Sequence, residues 1–320
     1  KEGIMRKRSA LLLAALIFIL ASCKTTSPAV EEQVNVLALL EQDSSIYVRI
    51  PVSSHVDLTS AVLSSAFDGV SKKDARSFAQ RVSELYAGIG TVEDRSRIQV
   101  ASSASIPQVA VGTVFSKKHG WRKRTYNAKT TGAVEKNGSF TVYDPSAGEL
   151  SVSFPSPSVF VSAAKVEPLL NRYAEYSDYA DLSATSYSSW VSQQSSDILF
   201  YITRPGQYLR NLIGQSVSIG TDAIYGSLSY IPSKKNPDSY SGLYSMMFRI
   251  HLLDKRAAAA FRSVLSLSFG MMGAKITQTD DFTIEISDVE ITQKQIEDLF
   301  MRDPVTGKHF KVVGDKIIKE

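Results

Sequence analysis

The chain has one cysteine in 320 residues, four histidines and two tryptophans. A single thiol excludes an internal disulfide, so packed surface and not cross-linking must hold the fold. His55, His119, His251 and His309 stand far apart in sequence and give no metal-ligand spacing; neither a metal nor a cofactor is expected. No stretch reaches 18 consecutive apolar residues, whereas a helix needs roughly 20 to cross the hydrocarbon of a bilayer. Catalytic signatures are equally thin. Ser162-Ala163-Ala164-Lys165 matches S-x-x-K and Lys129-Thr130-Thr131-Gly132 approaches K-T-G, but they stand in the reverse of the order required in penicillin-recognising enzymes, and the S-D-N between them is missing. Gly88-Ile89-Gly90 lacks the third glycine of a dinucleotide loop. The expectation is a protein that is not an enzyme; a hydrolase with a site invisible by motif is a third-ranked alternative.

What is present begins at the N-terminus. Met5 is followed by Arg6-Lys7-Arg8 and then by 12 apolar or small residues, Ala10 to Ala21, the length and flanks of a signal-peptide core. The block ends in Leu20-Ala21-Ser22-Cys23, which resembles the lipobox of bacterial lipoproteins. That resemblance implies acylation of Cys23 after removal of residues 1–22, with residues 23–40 as a lipidated tether. Lys24, in place of the Asp that retains such proteins in the inner membrane, points to the outer membrane. A lipid-anchored chain on its periplasmic leaflet is expected. Lys1, Arg6, Lys7 and Arg8 against Glu2 put +3 of the +4 formal charge into residues 1–22, leaving +1 for the rest. Bulk charge therefore gives no reason to expect nucleic acid.

The remaining chain mixes strand and helix signals. Alternation predicts strands at Ile46–Ile50, Arg97–Ala101, Gln108–Phe115, Trp121–Tyr126, Phe140–Tyr143, Leu150–Phe154 and Val159–Ser162. Helices are expected from Asp57 to Val70, over 74–89 after the capping box Ser71–Asp74, and from Pro168 to about Tyr179. Ser195–Pro205 then repeats the pattern of Asp43–Pro51, each before a segment with a helical pattern, the second being Gln207–Ile213; Asp281–Ser287 and Gln293–Phe300 repeat the later strand-to-helix order. The fold expected is α+β, with mixed or antiparallel sheets covered by amphipathic helices in an α/β/α-like body, built from duplicated halves at 41–180 and 181–320.

Two helices stand out. Leu58, Val62, Leu63, Ala66, Phe67 and Val70 share one half of a helical wheel, with Thr59 among them; Ser60, Ser64, Ser65, Asp68 and Ser71 make the other half. Over 254–272, Phe261, Val264, Leu265, Leu267, Phe269 and Met272 spread over more than half the circumference, leaving a strip of Arg262, Ser263, Ser266 and Gly270. Large apolar faces backed by Ser, Ala and Gly suit helices that enter loosely packed lipid; they suit burial in a core equally well. On the first reading Phe67→Asp or Phe261→Asp would weaken bilayer binding and spare the fold. A basic stretch, Lys117, Lys118, His119, Gly120, Trp121, Arg122, Lys123 and Arg124, offers cations and an indole for anionic headgroups.

The lipobox, the α+β body and the Ser-rich amphipathic helices together resemble a treponemal outer-membrane lipoprotein family that inserts helices into the inner leaflet. The resemblance implies a body that opens on a lipophilic cavity and carries lipids or glycolipids, with membrane lipids as its partners. It brings no catalytic residue. The alternative reading is an envelope scaffold that binds another protein through a cleft.

Overall fold

The computed structural model describes residues 34–67, 70–90, 98–128, 138–146, 150–175, 185–206, 220–233, 241–270, 273–300, 310–313 and 316–319. Cys23, the segment before residue 34, residues 207–213 and Met272 lie outside the described residues. The strands are β1 (Ile46–Pro51), β2 (Val82–Ile89), β3 (Ile98–Ala104), β4 (Trp121–Asn127), β5 (Ser139–Pro145), β6 (Ser151–Ser156), β7 (Val159–Ala163), β8 (Ile198–Ile202), β9 (Thr221–Ile231), β10 (Leu243–Leu252), β11 (Lys275–Gln278), β12 (Thr283–Thr292), β13 (Phe310–Val313) and β14 (Lys316–Lys319). The helices are α1 (Val56–Ala66), α2 (Lys72–Ala79), α3 (Gln108–Val114), α4 (Glu167–Ala174), α5 (Ser186–Val191), α6 (Lys255–Gly270) and α7 (Gln293–Phe300).

One sheet dominates. Twelve strands run in the order β11-β12-β10-β9-β8-β1-β2-β3-β7-β6-β5-β4, and β13–β14 form a separate hairpin. The ladders are antiparallel. This corrects the expected architecture of several mixed sheets covered by helices in an α/β/α-like body: the molecule is a single large antiparallel sheet with minor helices. Local patterns reveal strands, but the number of sheets depends on long-range pairing that alternation does not encode. The helices are also shorter than expected; α1 stops at Ala66 and α4 at Ala174.

Two assignments are reversed. Residues 82–89, read as the continuation of a helix, form β2. Four consecutive residues, Leu85 to Gly88, are buried there, so the segment has no clean alternation, and its apolar positions also satisfy a helical period. Residues 108–115, read as a strand from their valines, form α3, whose Val111 and Phe115, four apart, both reach the core. The capping box is found where it was expected: the Asp74 N–H donates to Ser71 Oγ at 3.1 Å and opens α2.

Alternation gives the sheet two unlike faces. One face presents Val48, Ile50, Leu85, Phe160, Ile198, Phe248, Ile250, Ile284 and Ile286, all buried, and receives α1, α2, α3 and α6. The other carries Tyr47, Arg49, Tyr201, Tyr225 and Arg249 and receives α5. At the centre β1 pairs with β8 over Ile46↔Ile202 to Arg49↔Leu199. Outward from that pair the order is β2, β3, β7, β6 on one side and β9, β10, β12, β11 on the other. Duplication of the chain remains a proposal, tested by superposing 46–174 on 198–300.

Gly226 marks a point of close approach. A Cβ there would stand 2.2 Å from the Met247 carbonyl oxygen and 2.7 Å from Phe248 Cα, both backbone atoms of β10. Gly226→Ala is expected to lower stability by about 1–3 kcal/mol as β9 and β10 are forced apart, read as a lower urea midpoint.

Candidate functional site

α6 forms because Ala257 to Ala260 are strong helix formers and Asp254 caps them, its Oδ1 accepting from the Ala257 N–H at 2.8 Å. Ala258, Phe261 and Leu265 are at most 1 % exposed and pack on Ile250, Leu252, Ile284 and Ile286. Phe269 is half-buried and meets Phe248 edge-on at 6.0 Å. The opposite side is unusual. Val264 is 40 % and Leu267 77 % exposed, three residues apart on one stripe with the exposed Ala260. Arg256 and Arg262 are exposed on the same helix, which contains no carboxylate, while Lys255 pairs with Asp281 at 2.7 Å. Two more bulky residues are exposed at the turns flanking its start, Leu253 at 66 % and Phe282 at 41 %. Backbone bonds join these turns, the Leu252 N–H donating to the Phe282 carbonyl at 2.9 Å. These four are the exposed large hydrophobics of the described residues, and all belong to α6 or its flanking turns. Val264 and Leu267 are adjacent on one stripe, and Leu253 and Phe282 mark the start of the same helix, so exposed apolar residues gather on this one element. Leu253 adjoins Leu252 and Phe282 alternates with Ile284 and Ile286, so in sequence both read as parts of buried strands and not as surface residues.

α1 is placed differently. Leu58, Leu63 and Phe67 are buried, Val62 and Val70 half-buried, all against the core of the sheet. Phe67 packs on Phe115 at 6.4 Å and on Trp121 at 6.1 Å between ring centroids. The polar face carries little charge, and its hydroxyls turn back on the helix. Ser60 Oγ donates to the Asp57 carbonyl at 3.0 Å, and Ser64 and Ser65 donate to the Ala61 carbonyl at 2.9 and 3.0 Å. An ion pair from Asp57 to Arg76 ties α1 to α2.

Below these helices lies an apolar cavity of about 240 Å3, lined by Phe78, Ile106, Val111, Val114 and Phe115, with Asp74 and Arg81 at its edge. A smaller void beneath α1 shares Phe78, Val114 and Phe115 with it. The same core buries Thr59 Oγ1, Ser102 Oγ, Ser162 Oγ and Trp121 Nε1 without a partner among the described residues. Each such group costs about 1–3 kcal/mol when dry, a penalty that admission of water or a ligand would relieve.

His55 holds the start of α1. It is 2 % exposed, its Nε2 lies 2.8 Å from the Ser196 carbonyl and its Nδ1 3.3 Å from the Tyr244 hydroxyl. Burial pushes its pKa below 6.5. The neutral imidazole is therefore the form that the fold accepts. Its contribution is complete above the unfolded value of 6.5 and is lost as pH falls from there through the lowered folded value. His55→Gln is expected to flatten the loss of thermal stability below that pH; an unchanged slope would exclude this histidine as its source.

The basic stretch divides. Lys117, Lys118, Arg122 and Lys123 are exposed, the last two on the edge strand β4. Trp121 is 2 % exposed, in T-shaped contact with Phe115 at 4.9 Å, and so is a core residue here and not an interfacial one. Arg124 is engaged by Asp144 at 2.6 Å and Glu167 at 2.7 Å. Among the described residues no helix is long and apolar enough to cross a membrane, and no three His, Cys, Asp or Glu side chains are placed to hold a metal ion.

The model of the family "Outer membrane-associated lipoprotein TP0453" matches residues 31–297. The chain belongs to this family. Its namesake is an outer membrane-associated lipoprotein of Treponema. Three crystal forms of TP0453 share the fold: form III with a TM-score of 0.57 at 15 % identity, covering 83 % of this chain and 98 % of that one; form I with 0.56 at 14 %, covering 84 % and 97 %; and form IV with 0.55 at 16 %, covering 83 % and 96 %. No curated protein sequence gives a significant match. Family membership makes the chain an outer membrane-associated lipoprotein.

Proposed function

We propose that this lipoprotein, anchored through Cys23, is a non-enzymatic protein that rests on the periplasmic leaflet through α6, inserts α1 when that helix is released, and takes up the apolar part of a lipid or glycolipid. The observation that carries the reading is the collection of Leu253, Val264, Leu267 and Phe282 on and around one cationic helix. Full burial of one such side chain in lipid is worth about 1.5–3 kcal/mol, and each cation near an anionic leaflet adds about 1 kcal/mol. Lys117, Lys118, Arg122 and Lys123 supply further exposed cations. The cavity of about 240 Å3 is smaller than the 300–1,000 Å3 usual for a ligand site, so uptake requires α2 and α3, whose residues line it, to part. The partnerless polar atoms of the same core offset part of that cost.

The test is flotation of a Cys23→Ala chain, which cannot be acylated, with vesicles of phosphatidylcholine and phosphatidylglycerol. Binding that rises with the anionic fraction and falls with salt is expected. A chain that stays unbound at every composition removes the bilayer reading. Mass spectrometry of the natively purified chain tests uptake separately, through lipid that co-purifies.

A further inference from the structure

The face of the sheet opposite α1 and α6 carries side chains in register across five strands. The pairs are Tyr47↔Tyr201, Tyr201↔Tyr225, Tyr225↔Arg249 and Arg249↔Glu285, on β1, β8, β9, β10 and β12. Tyr201 and Tyr225 stack with centroids 5.7 Å apart and planes within 12°. Arg249 Nε donates to Glu285 Oε2 at 2.9 Å, so its charge is matched within the row. α5 stands over this row. Its Tyr187 stacks on Tyr47 at 3.8 Å. Its Trp190 meets Tyr225 edge-on at 4.8 Å and is fixed by an Nε1–H bond to the Gly226 carbonyl at 3.3 Å.

Between α5 and strands β9 and β10 an open cavity of about 410 Å3 is lined by Trp190, Tyr201, Tyr225, Arg249 and His251, with Gln193 and Asp222 exposed in its lining. Its chemistry discriminates among ligand classes. A hydrocarbon chain would strip water from Asp222, Gln193 and Arg249 and return no hydrogen bond. An anion would find its one guanidinium already paired with Glu285 and a carboxylate, Asp222, in the same lining. A quaternary cation would gain from the aromatic rings and Asp222 but has no acceptor for the amide, guanidinium and imidazole donors of the lining. A neutral pyranose fits all of these groups. Its C–H face packs on an aromatic ring, while its hydroxyls pair with amide, carboxylate, guanidinium and imidazole groups.

We propose that this cavity binds a neutral saccharide, stacked on the Trp190–Tyr225 aromatic pair and hydrogen-bonded by Asp222, Gln193 and Arg249. The site uses none of the residues assigned to bilayer contact, so either reading can fail alone.

The sequence supplies a reporter. The chain has two tryptophans, Trp121 and Trp190. Trp121 is 2 % exposed in the core, so a ligand-induced change in fluorescence reports Trp190. The full chain is titrated with chitotetraose, cellotetraose and maltotetraose, with tetragalacturonate as the anionic counterpart. A saturable change with at least one neutral tetrasaccharide is expected. Tyr225→Ala should weaken it at least about tenfold. Because Tyr225 is partly buried and that variant could unfold, Asp222→Ala at an exposed position is the second variant, with the same direction expected and an unchanged thermal midpoint. No saturable change with any neutral tetrasaccharide up to about 10 mM overturns the proposal. So does binding of tetragalacturonate alone, or binding by both folded variants at the strength of the parent chain.

Discussion

In a Cys23→Ala background, Val264→Asp with Leu267→Asp is expected to weaken vesicle binding at least about tenfold and to leave the thermal midpoint essentially unchanged. Both residues face outward from α6, at 40 % and 77 % exposure, so their removal opens no cavity. Exposed substitutions of this kind usually shift stability within about 0.5 kcal/mol. At the bilayer the accounting differs. Losing two apolar side chains forfeits up to about 3–6 kcal/mol of transfer, and two carboxylates oppose Arg256 and Arg262 as the cations that meet anionic headgroups. Tenfold corresponds to about 1.4 kcal/mol, so even partial immersion of the stripe would exceed it. Flotation with anionic vesicles reads the effect; a doubly substituted chain that floats as well as its parent would remove α6 from the contact.

Phe67→Asp is expected to behave in the opposite way and to lower stability by more than about 3–5 kcal/mol. That range covers the loss of a buried aromatic; the carboxylate adds to it, because it would sit unpaired among Phe115 and Trp121. The same holds for Phe261→Asp at 1 % exposure. Chemical denaturation reads it directly, as a collapse of the urea midpoint or no folded baseline. The helical wheel alone recommends these two substitutions as probes of membrane contact. The structure makes them probes of the core, and any loss of vesicle binding they cause would have to be separated from unfolding. A Phe67→Asp chain with a parental midpoint would place α1 outside the core and so favour its residence at a surface.

Much of the local structure was legible from residue pattern. Trp121–Tyr126, Phe140–Tyr143 and Val159–Ser162 fall within strands, Leu150–Phe154 overlaps β6 from Ser151 on, and the Ser71–Asp74 box opens a helix. The global arrangement was not. That β8 pairs with β1 and places one half of the chain beside the other is a contact across some 150 residues, readable only from coordinates. Wheels also leave a choice between core and surface wherever a helix is apolar most of the way round. α6 resolves that choice residue by residue, with Phe261 and Leu265 inward and Val264 and Leu267 outward. Tyr201, Tyr225 and Arg249 lie on three different strands, and no spacing in the sequence brings them to one level.

β1 is an interior strand, with six residue pairs to β2 and four to β8, and the buried turn Val36–Leu39 precedes it. An edge strand under tension can be peeled one hydrogen bond at a time. A pull on the chain ahead of β1 must free the buried Val36–Leu39 turn and then shear two ladders together. Load entering through the middle of the sheet therefore meets a resistance that load entering through β4 or β11 would not.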